Sequence, residues 1–466
     1  MNVLMVCSEF APWAKTGGLA DAVTGLANAL VARGHDVRVL LPRYAHLPGA
    51  GVKLRRLRAG RHRFGEIETA AGRAGPRVYL LELDELTADS IYTSDARDAG
   101  RFIRLASAAL ELPAALNWRP DILHCHDWHA ALAPVLNRTA GGARLARTVL
   151  TLHNVGYQGV FAADVLEEYA TPQLRAGIPA DALTGGDVNF LRAGVHTADV
   201  VTTVSPTYAA EIRTPQFGMG LEDVLNGRGT MLVGILNGVD YDVWDPRSDP
   251  FLAAHFDATN LATKRELKNT LGARLGLQVD ATTPLIGIVT RLAPQKGIDL
   301  LAAALPGLLR ETRATFAVLG SGDVALASTL AGFALEQPKR VAFTEGYDEA
   351  LAHLIFAASD LTLVPSRYEP CGLTQMYALR YGTIPVVRAT GGLADTITHF
   401  DPATGTGNGG VFRDADVDGL LWGLRTALGW FDDRAAWSRL VANAMAVDFS
   451  WGNQVPQYER LYRSLL

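Results

Sequence analysis

Asp360-Leu361-Thr362-Leu363-Val364-Pro365-Ser366-Arg367-Tyr368-Glu369-Pro370-Cys371-Gly372-Leu373-Thr374-Gln375 reads as a strand, a loop and the start of a helix. Asp360 to Val364 is short, apolar and branched, as a buried strand requires, and Gly372 to Tyr381 reads as a helix opening. The first backbone N–H groups of such a helix lack intrahelical acceptors, and its dipole favours an anion against Gly372, Leu373 and Thr374. Glu369 stands just before them, where a carboxylate could accept bonds from a hydroxyl-bearing ligand. An ordinary turn punctuated by Pro370 would look the same, so the remainder of the chain has to decide.

The same unit recurs on both sides. Pro284 to Leu292, Thr315 to Leu319, Val341 to Phe343 and Ile384 to Val387 are apolar runs alternating with helical stretches. The run Leu285 to Thr290 delivers Arg291-Leu292-Ala293-Pro294-Gln295-Lys296-Gly297 to its carboxyl end. Arg291 and Lys296, in a loop held by Pro294 and Gly297, could converge on one anionic group, for which a diphosphate is the natural candidate. Solvated loop charges are the alternative. Lysine is scarce in this arginine-rich chain, however, and Lys15 and Lys296 both lie beside glycines between a strand and a helix. Gly320-Ser321-Gly322-Asp323 and Thr390-Gly391-Gly392-Leu393-Ala394-Asp395 add glycine-bearing loops after strands, where backbone can approach a nucleotide.

In the first half, Asn2 to Cys7 is a buried strand. It is followed by Lys15-Thr16-Gly17-Gly18, a helix with Leu19, Val23, Leu26 and Leu30 on one face, a C-terminal Gly34, and a strand at Asp36 to Leu41. Further strands are expected at Arg77 to Leu83, Asp121 to His126, Thr148 to His153 and Val200 to Val204. Alternation of this kind predicts doubly wound parallel sheets. It breaks into turn-rich sequence near Asn237 to Pro246. The expected organisation is an N-terminal Rossmann-like domain over 1–240, a second over 241–450, and an amphipathic helix over 451–466 packing back on the first. Two such domains facing each other would bring the carboxyl ends of both sheets to a central cleft.

Length agrees, since 466 residues exceed one ordinary core. A formal charge of −5 gives no broad footprint for nucleic acid or a membrane surface. Cys7, Cys125 and Cys371 are too sparse for a disulfide framework. The N-terminus lacks a basic leader, and no run reaches the roughly 18 to 20 apolar residues of a membrane span. A cytoplasmic location is therefore expected.

Asp121-Ile122-Leu123-His124-Cys125-His126-Asp127-Trp128-His129 invites a metal reading but lacks His-x-His-x-Asp-His, with Trp128 where the Asp would stand. A strand end presenting Asp127 fits better, and no metal is expected. His153, closing a strand before Gly156 and Gly159, either caps the core or faces ligand. No Gly-x-x-x-x-Gly-Lys-Ser/Thr supports a P-loop, and the dinucleotide glycine fingerprint is missing after the first strand.

Lys15-Thr16-Gly17-Gly18-Leu19-Ala20-Asp21, His126-Asp127-Trp128-His129, His153 to Gly159, Asn237-Gly238-Val239-Asp240, Arg291-Leu292 with Gln295-Lys296-Gly297, and Glu369 to Gln375 occur in that order across nearly the whole chain. The set resembles the bacterial glycogen synthase and plant starch synthase family. The resemblance implies a retaining GT-B glycosyltransferase moving glucose from ADP-glucose to the non-reducing end of an α-1,4-glucan, with no metal or other cofactor. It implies that Arg291 and Lys296 stabilise the leaving diphosphate with the helix start at Cys371, Gly372, Leu373 and Thr374. Lys15, Gly17 and Gly18 would meet the phosphate and glucose, and Asn237 would belong to the donor site. His153 and Glu369 would orient the transferred sugar, Asp127 would be the catalytic aspartate, and Tyr347 would stack on the base. Many GT-B enzymes carry a second Glu eight positions after the first; here that place is Tyr377. Two other readings stay open: a non-catalytic nucleotide-sugar or glucan-binding protein, and another GT-B enzyme, such as a UDP-glucose-dependent synthase or a phosphorylase with a pyridoxal phosphate lysine.

Overall fold

Buried, branched runs form parallel strands because both sheet faces are covered, and this chain does so twice. The structure is a computed structural model that describes residues 1–45, 53–67, 75–87, 90–139 and 144–466. It divides into one unit of Met1–Gly238 with Trp451–Leu466, and another of Val239–Ser450.

The strands of the first unit are β1 (Asn2–Val6), β2 (Asp36–Pro42), β3 (Leu54–Ala59), β4 (His62–Ile67), β5 (Arg77–Leu81), β6 (Ile122–His126), β7 (Arg147–Leu152), β8 (Val160–Ala162), β9 (Leu183–Thr184), β10 (Asp187–Asn189), β11 (Val200–Thr203) and β12 (Leu232–Gly234). Nine of them make one sheet in the order β12-β11-β7-β6-β1-β2-β5-β4-β3. Pairing is parallel from β12 to β5, and β4 and β3 continue it as an antiparallel hairpin. A small antiparallel sheet, β8-β10-β9, stands apart. The hairpin and the small sheet are additions to the alternation expected from sequence. Strand order turns at β1, so the loops after β1 and β6 flank a switch point, where open α/β sheets bind ligands.

The second unit holds β13 (Leu285–Val289), β14 (Thr315–Gly320), β15 (Val341–Glu345), β16 (Leu361–Val364), β17 (Ile384–Arg388) and β18 (Gly410–Phe412). They form an all-parallel sheet in the order β15-β14-β13-β16-β17-β18. Its switch point lies between β13 and β16, whose loops carry Lys296 and Glu369.

The last helix, Trp451–Leu465, belongs to the first unit. Trp451, Val455, Tyr458 and Tyr462 share one buried cluster with Val23, Leu26 and Leu30 of the helix Gly18–Ala32. Glu459 accepts from Arg33 Nε and Nη2, both at 2.8 Å, and lies 2.8 Å from His35 Nε2. The Arg33 bonds, chiefly, hold the Glu459 carboxyl down to about 2. Gly25 permits the close approach, since a Cβ there would sit 1.9 Å from Trp451 Nε1. Gly25→Val is therefore expected to destabilise this unit by about 1–3 kcal/mol through overpacking, seen as a lower denaturant midpoint with an unchanged slope. An unchanged midpoint would mean that Trp451 moves freely. No helix among the described residues is long and apolar enough to cross a membrane.

Candidate active site

In the second unit the loops after β13 and β16 are pressed together. Gly297 has φ +66°, and a Cβ there would come within 2.2 Å of the Pro365 carbonyl oxygen. Arg367 N donates to Gln295 O at 2.8 Å, and Gln295 Nε2 donates to Tyr368 O at 3.2 Å. This contact sets Lys296 against Glu369, with Nζ to Oε2 at 2.6 Å. Ser366 Oγ donates to the same oxygen at 2.8 Å. Glu369 is buried, and the Lys296 side chain nearly so. Oε1 of Glu369 is then the carboxylate oxygen left for a hydroxyl.

Lys296 thus enters the site already paired with a carboxylate of the neighbouring loop. Arg291 is exposed, with Nη2 3.5 Å from Gln295 Oε1. The helix begins at Thr374, not Gly372, and runs to Arg380. Gly372 at φ +72° is the cause, since left-handed backbone cannot continue into the helix. Gln375 Nε2 folds back on the Cys371 and Gly372 carbonyls at 3.1 and 2.8 Å. Cys371 is buried, and a Cβ on Gly392 would lie 2.0 Å from its carbonyl oxygen, so only glycine allows these loops to meet. Leu373 and Thr374 complete the turn.

Tyr347 lies just beyond β15 and is 75% exposed. Tyr377, by contrast, is buried and stacked on Trp244, with centroids 4.0 Å apart and planes 6° apart. The place where many GT-B enzymes carry a second Glu is thus core in this chain.

In the first unit the loop after β1 is organised by a residue the motif reading passed over. Glu9 is buried; its Oε2 accepts from Thr16 N at 2.7 Å and Gly17 N at 3.1 Å, and its Oε1 from Thr16 Oγ1 at 2.9 Å and Tyr92 OH at 2.6 Å. The Gly17 N–H is therefore taken by a protein carboxylate. Gly18 opens the helix, and Lys15 Nζ lies 2.8 Å from Asp21 Oδ1, both side chains about one-third exposed. Glu9 left one sequence signal: an acid three residues beyond the end of a buried strand. Ser366 left less, and neither was identified as a site residue.

Asp127 follows β6 with φ +55°, a conformation Asp tolerates better than most side chains. Its Oδ1 accepts from His153 N at 2.7 Å, which ties the end of β6 to the end of β7. Burial pushes the Asp127 carboxyl up to about 7, against the opposing pull of the His153 and Asn154 N–H groups. His153 is held through Nε2, 3.1 Å from His126 Nδ1, and burial lowers its ring to about 3, so it works as neutral imidazole. Asn237 is buried beyond the carboxyl end of β12. Lys15, Gly17, Gly18, Asp127, His153 and Asn237 thus share one sheet edge of their unit. Arg291, Lys296, Tyr347 and the stretch from Glu369 to Thr374 share the corresponding edge of the other.

Two parallel sheets, each wound about a switch point and carrying its polar and glycine-bearing loops at the carboxyl edge, define a GT-B glycosyltransferase. The family profile for the starch synthase catalytic domain matches residues 2–227, and that for glycosyl transferases group 1 matches 275–439. The chain belongs to the glycogen and starch synthase family. It is 46% identical to a glycogen synthase of Anaeromyxobacter dehalogenans over 100% of this chain and 99% of that one. Against a glycogen synthase of Koribacter versatilis it is 42% identical over 99% and 98%. The catalytic domain of starch synthase IV from Arabidopsis thaliana, solved bound to ADP and acarbose, superposes with a TM-score of 0.88 at 37% identity, covering 99% of this chain and 98% of that one. Sucrose-phosphate synthase from Thermosynechococcus elongatus shares the fold at 19% identity and a TM-score of 0.65, over 100% and 98% of the two chains. These matches support neither a phosphorylase nor a non-catalytic binding protein.

Proposed function

We propose that this chain transfers the glucosyl group of ADP-glucose to the 4-hydroxyl at the non-reducing end of an α-1,4-glucan, with retention of configuration and without a metal. The observation that carries the reading is the Lys296–Glu369 contact at the switch point of the second unit, which joins a cation for a leaving diphosphate to a carboxylate for sugar hydroxyls. The adenine nucleotide is favoured because the Arabidopsis structure holds ADP.

Arg291 and Lys296 take up charge as the bond from C1 to the phosphate oxygen breaks and its electron pair passes to the diphosphate. The backbone N–H groups at Gly372, Leu373 and Thr374, after the buried Cys371, add fixed dipoles, and the Tyr347 ring stacks on the base. Lys15, with the Gly17–Gly18 turn and Asn237, binds the donor from the first unit. Glu369 Oε1 and His153 hold the transferred glucose, and Asp127 stabilises the positive charge that develops at C1. The acceptor hydroxyl attacks the face the phosphate leaves and gives its proton to the departing phosphate oxygen, so no protein nucleophile is required. The second unit thereby serves the nucleotide sugar, the first serves the glucan and also contributes residues to the donor, and the site of action is the cytoplasm.

An ionised Asp127 is the useful form, and burial disfavours it. Activity is therefore expected to rise with pH through about 7 as the carboxyl gives up its proton. The linked effect on stability has the opposite sign. The raised folded value contributes stability below the unfolded value near 3.8, and that contribution is lost as pH climbs toward 7. Asp127→Asn should leave a low rate without this titration; a rise of the same midpoint in that variant would assign it to another group. The reaction type is tested by proton NMR of an elongated maltooligosaccharide. Retention requires a new α-1,4 linkage from the α-linked donor, and a β linkage would defeat the proposed route.

A further inference from the structure

His126 is the last residue of β6, and its ring bridges the strand core and the site. Nδ1 lies 3.1 Å from Nε2 of His153, whereas Nε2 is buried with no hydrogen-bond partner. On its other side the ring packs on His124, with centroids 4.2 Å apart. His124 is fixed at both nitrogens, by Tyr462 OH at 2.7 Å and Thr151 Oγ1 at 2.6 Å, and Thr151 Oγ1 is 2.6 Å from Thr202 Oγ1. His126 is thus wedged between a ring that cannot turn and the site histidine.

A neutral imidazole carries one N–H. Burial holds both His126 and His153 far below the value of a free ring, so each is neutral and only one proton lies between Nδ1 and Nε2. If His126 carried its proton on Nε2, a buried donor would be stranded; with the proton on Nδ1, the donor is used and only an acceptor goes unpaired. Orphaned buried N–H groups are the rarer and costlier defect. His126 therefore donates, His153 Nε2 accepts, and the His153 proton is confined to Nδ1.

We propose that His126 is a positioning residue that fixes His153 as the Nδ1–H tautomer, so that the one ring nitrogen left for a ligand is a donor to a sugar oxygen. The sugar oxygen rests on the glucosyl-transfer reading above; the tautomer does not. A ring with the opposite tautomer would present a lone pair there and could only accept from a sugar hydroxyl, reversing the direction of that bond.

The test is a two-bond proton–nitrogen correlation spectrum of the full chain labelled with nitrogen-15 histidine, whose 11 histidines keep assignment tractable. The His153 signals are identified by their loss in His153→Asn. Wild type should show His153 protonated at Nδ1; protonation at Nε2 overturns the proposal outright. His126→Asn places an amide N–H where Nδ1 stood and should keep both the tautomer and most of kcat. His126→Leu should release the tautomer and lower kcat about 10- to 100-fold with little change in the donor KM. Equal losses in Asn and Leu variants, or an unchanged tautomer in Leu, would reduce His126 to packing. Should His126→Leu not fold, the wild-type and Asn spectra still decide. Because the tautomer is read without substrate, its failure is separable from a failure to transfer glucose.

Discussion

Lys296→Ala is expected to lower kcat for glucosyl transfer by about 10³-fold, the scale on which a preorganised group facing a developing charge acts. The diphosphate gains charge as the glycosidic bond breaks, and a largely buried ammonium at the switch point meets that charge without solvent reorganisation. The substitution also strands Glu369, which would keep only Ser366 as a partner in a buried setting. Breaking a buried pair from one side costs about 3–5 kcal/mol, so the second unit should lose stability as well as activity. The two effects separate in the pair Lys296→Met with Glu369→Gln, which removes both charges at similar volume. That protein should regain most of the lost stability and none of the lost rate. Recovery of rate in the double variant would mean that Lys296 matters only as a partner for Glu369.

Glu369→Ala carries the second large effect, a loss of about 10²- to 10³-fold in kcat/KM. The carboxylate has one oxygen engaged by Lys296 and Ser366, so its geometry is set before substrate arrives, and the other oxygen supplies the sugar contact. Such preorganisation is what the chain invests in pressing two loops together around Gly297. Glu369→Gln keeps the shape but exchanges an acceptor for an amide, and should recover no more than a small part of the rate. If Gln restored near wild-type transfer, the charge of Glu369 would be dispensable, and a hydroxyl contact through a carboxylate would be the wrong role. Affinity for ADP alone should change less than rate in both variants, since the contact assigned to Glu369 is to the sugar.

How much of this was legible depends on which physics wrote each element. Parallel strands buried on both faces read as continuous apolar runs, so β1, β2, β6, β7, β13, β14 and β16 stand out in the chain. The hairpin β3–β4 did not, because its Leu-Arg-Arg-Leu-Arg-Ala strand lies at a sheet edge and carries exposed arginines on both faces, Arg55 on one and Arg56 and Arg58 on the other, so no continuous apolar run marks it. Strands as short as β8, β9 and β10 carry no periodicity at all. Motif loops were visible because strand ends, glycines and rare lysines mark them. Their partners were not: Glu9 reaches Thr16 and Gly17 through the fold of its own loop, and Lys296 finds Glu369 and His126 meets His153 only once neighbouring strands are aligned. Tyr377 shows the same limit in reverse, a motif position whose side chain is claimed by Trp244.

The proposed chemistry is most directly tested by incorporation of labelled glucose into glycogen by the purified protein with metal chelated, comparing ADP-glucose with UDP-glucose. The expected result is chelator-resistant transfer from ADP-glucose that is lost in Lys296→Ala and Glu369→Ala. Transfer that stops on chelation, or that proceeds from ADP-glucose at an undiminished rate in those two folded variants, would contradict it.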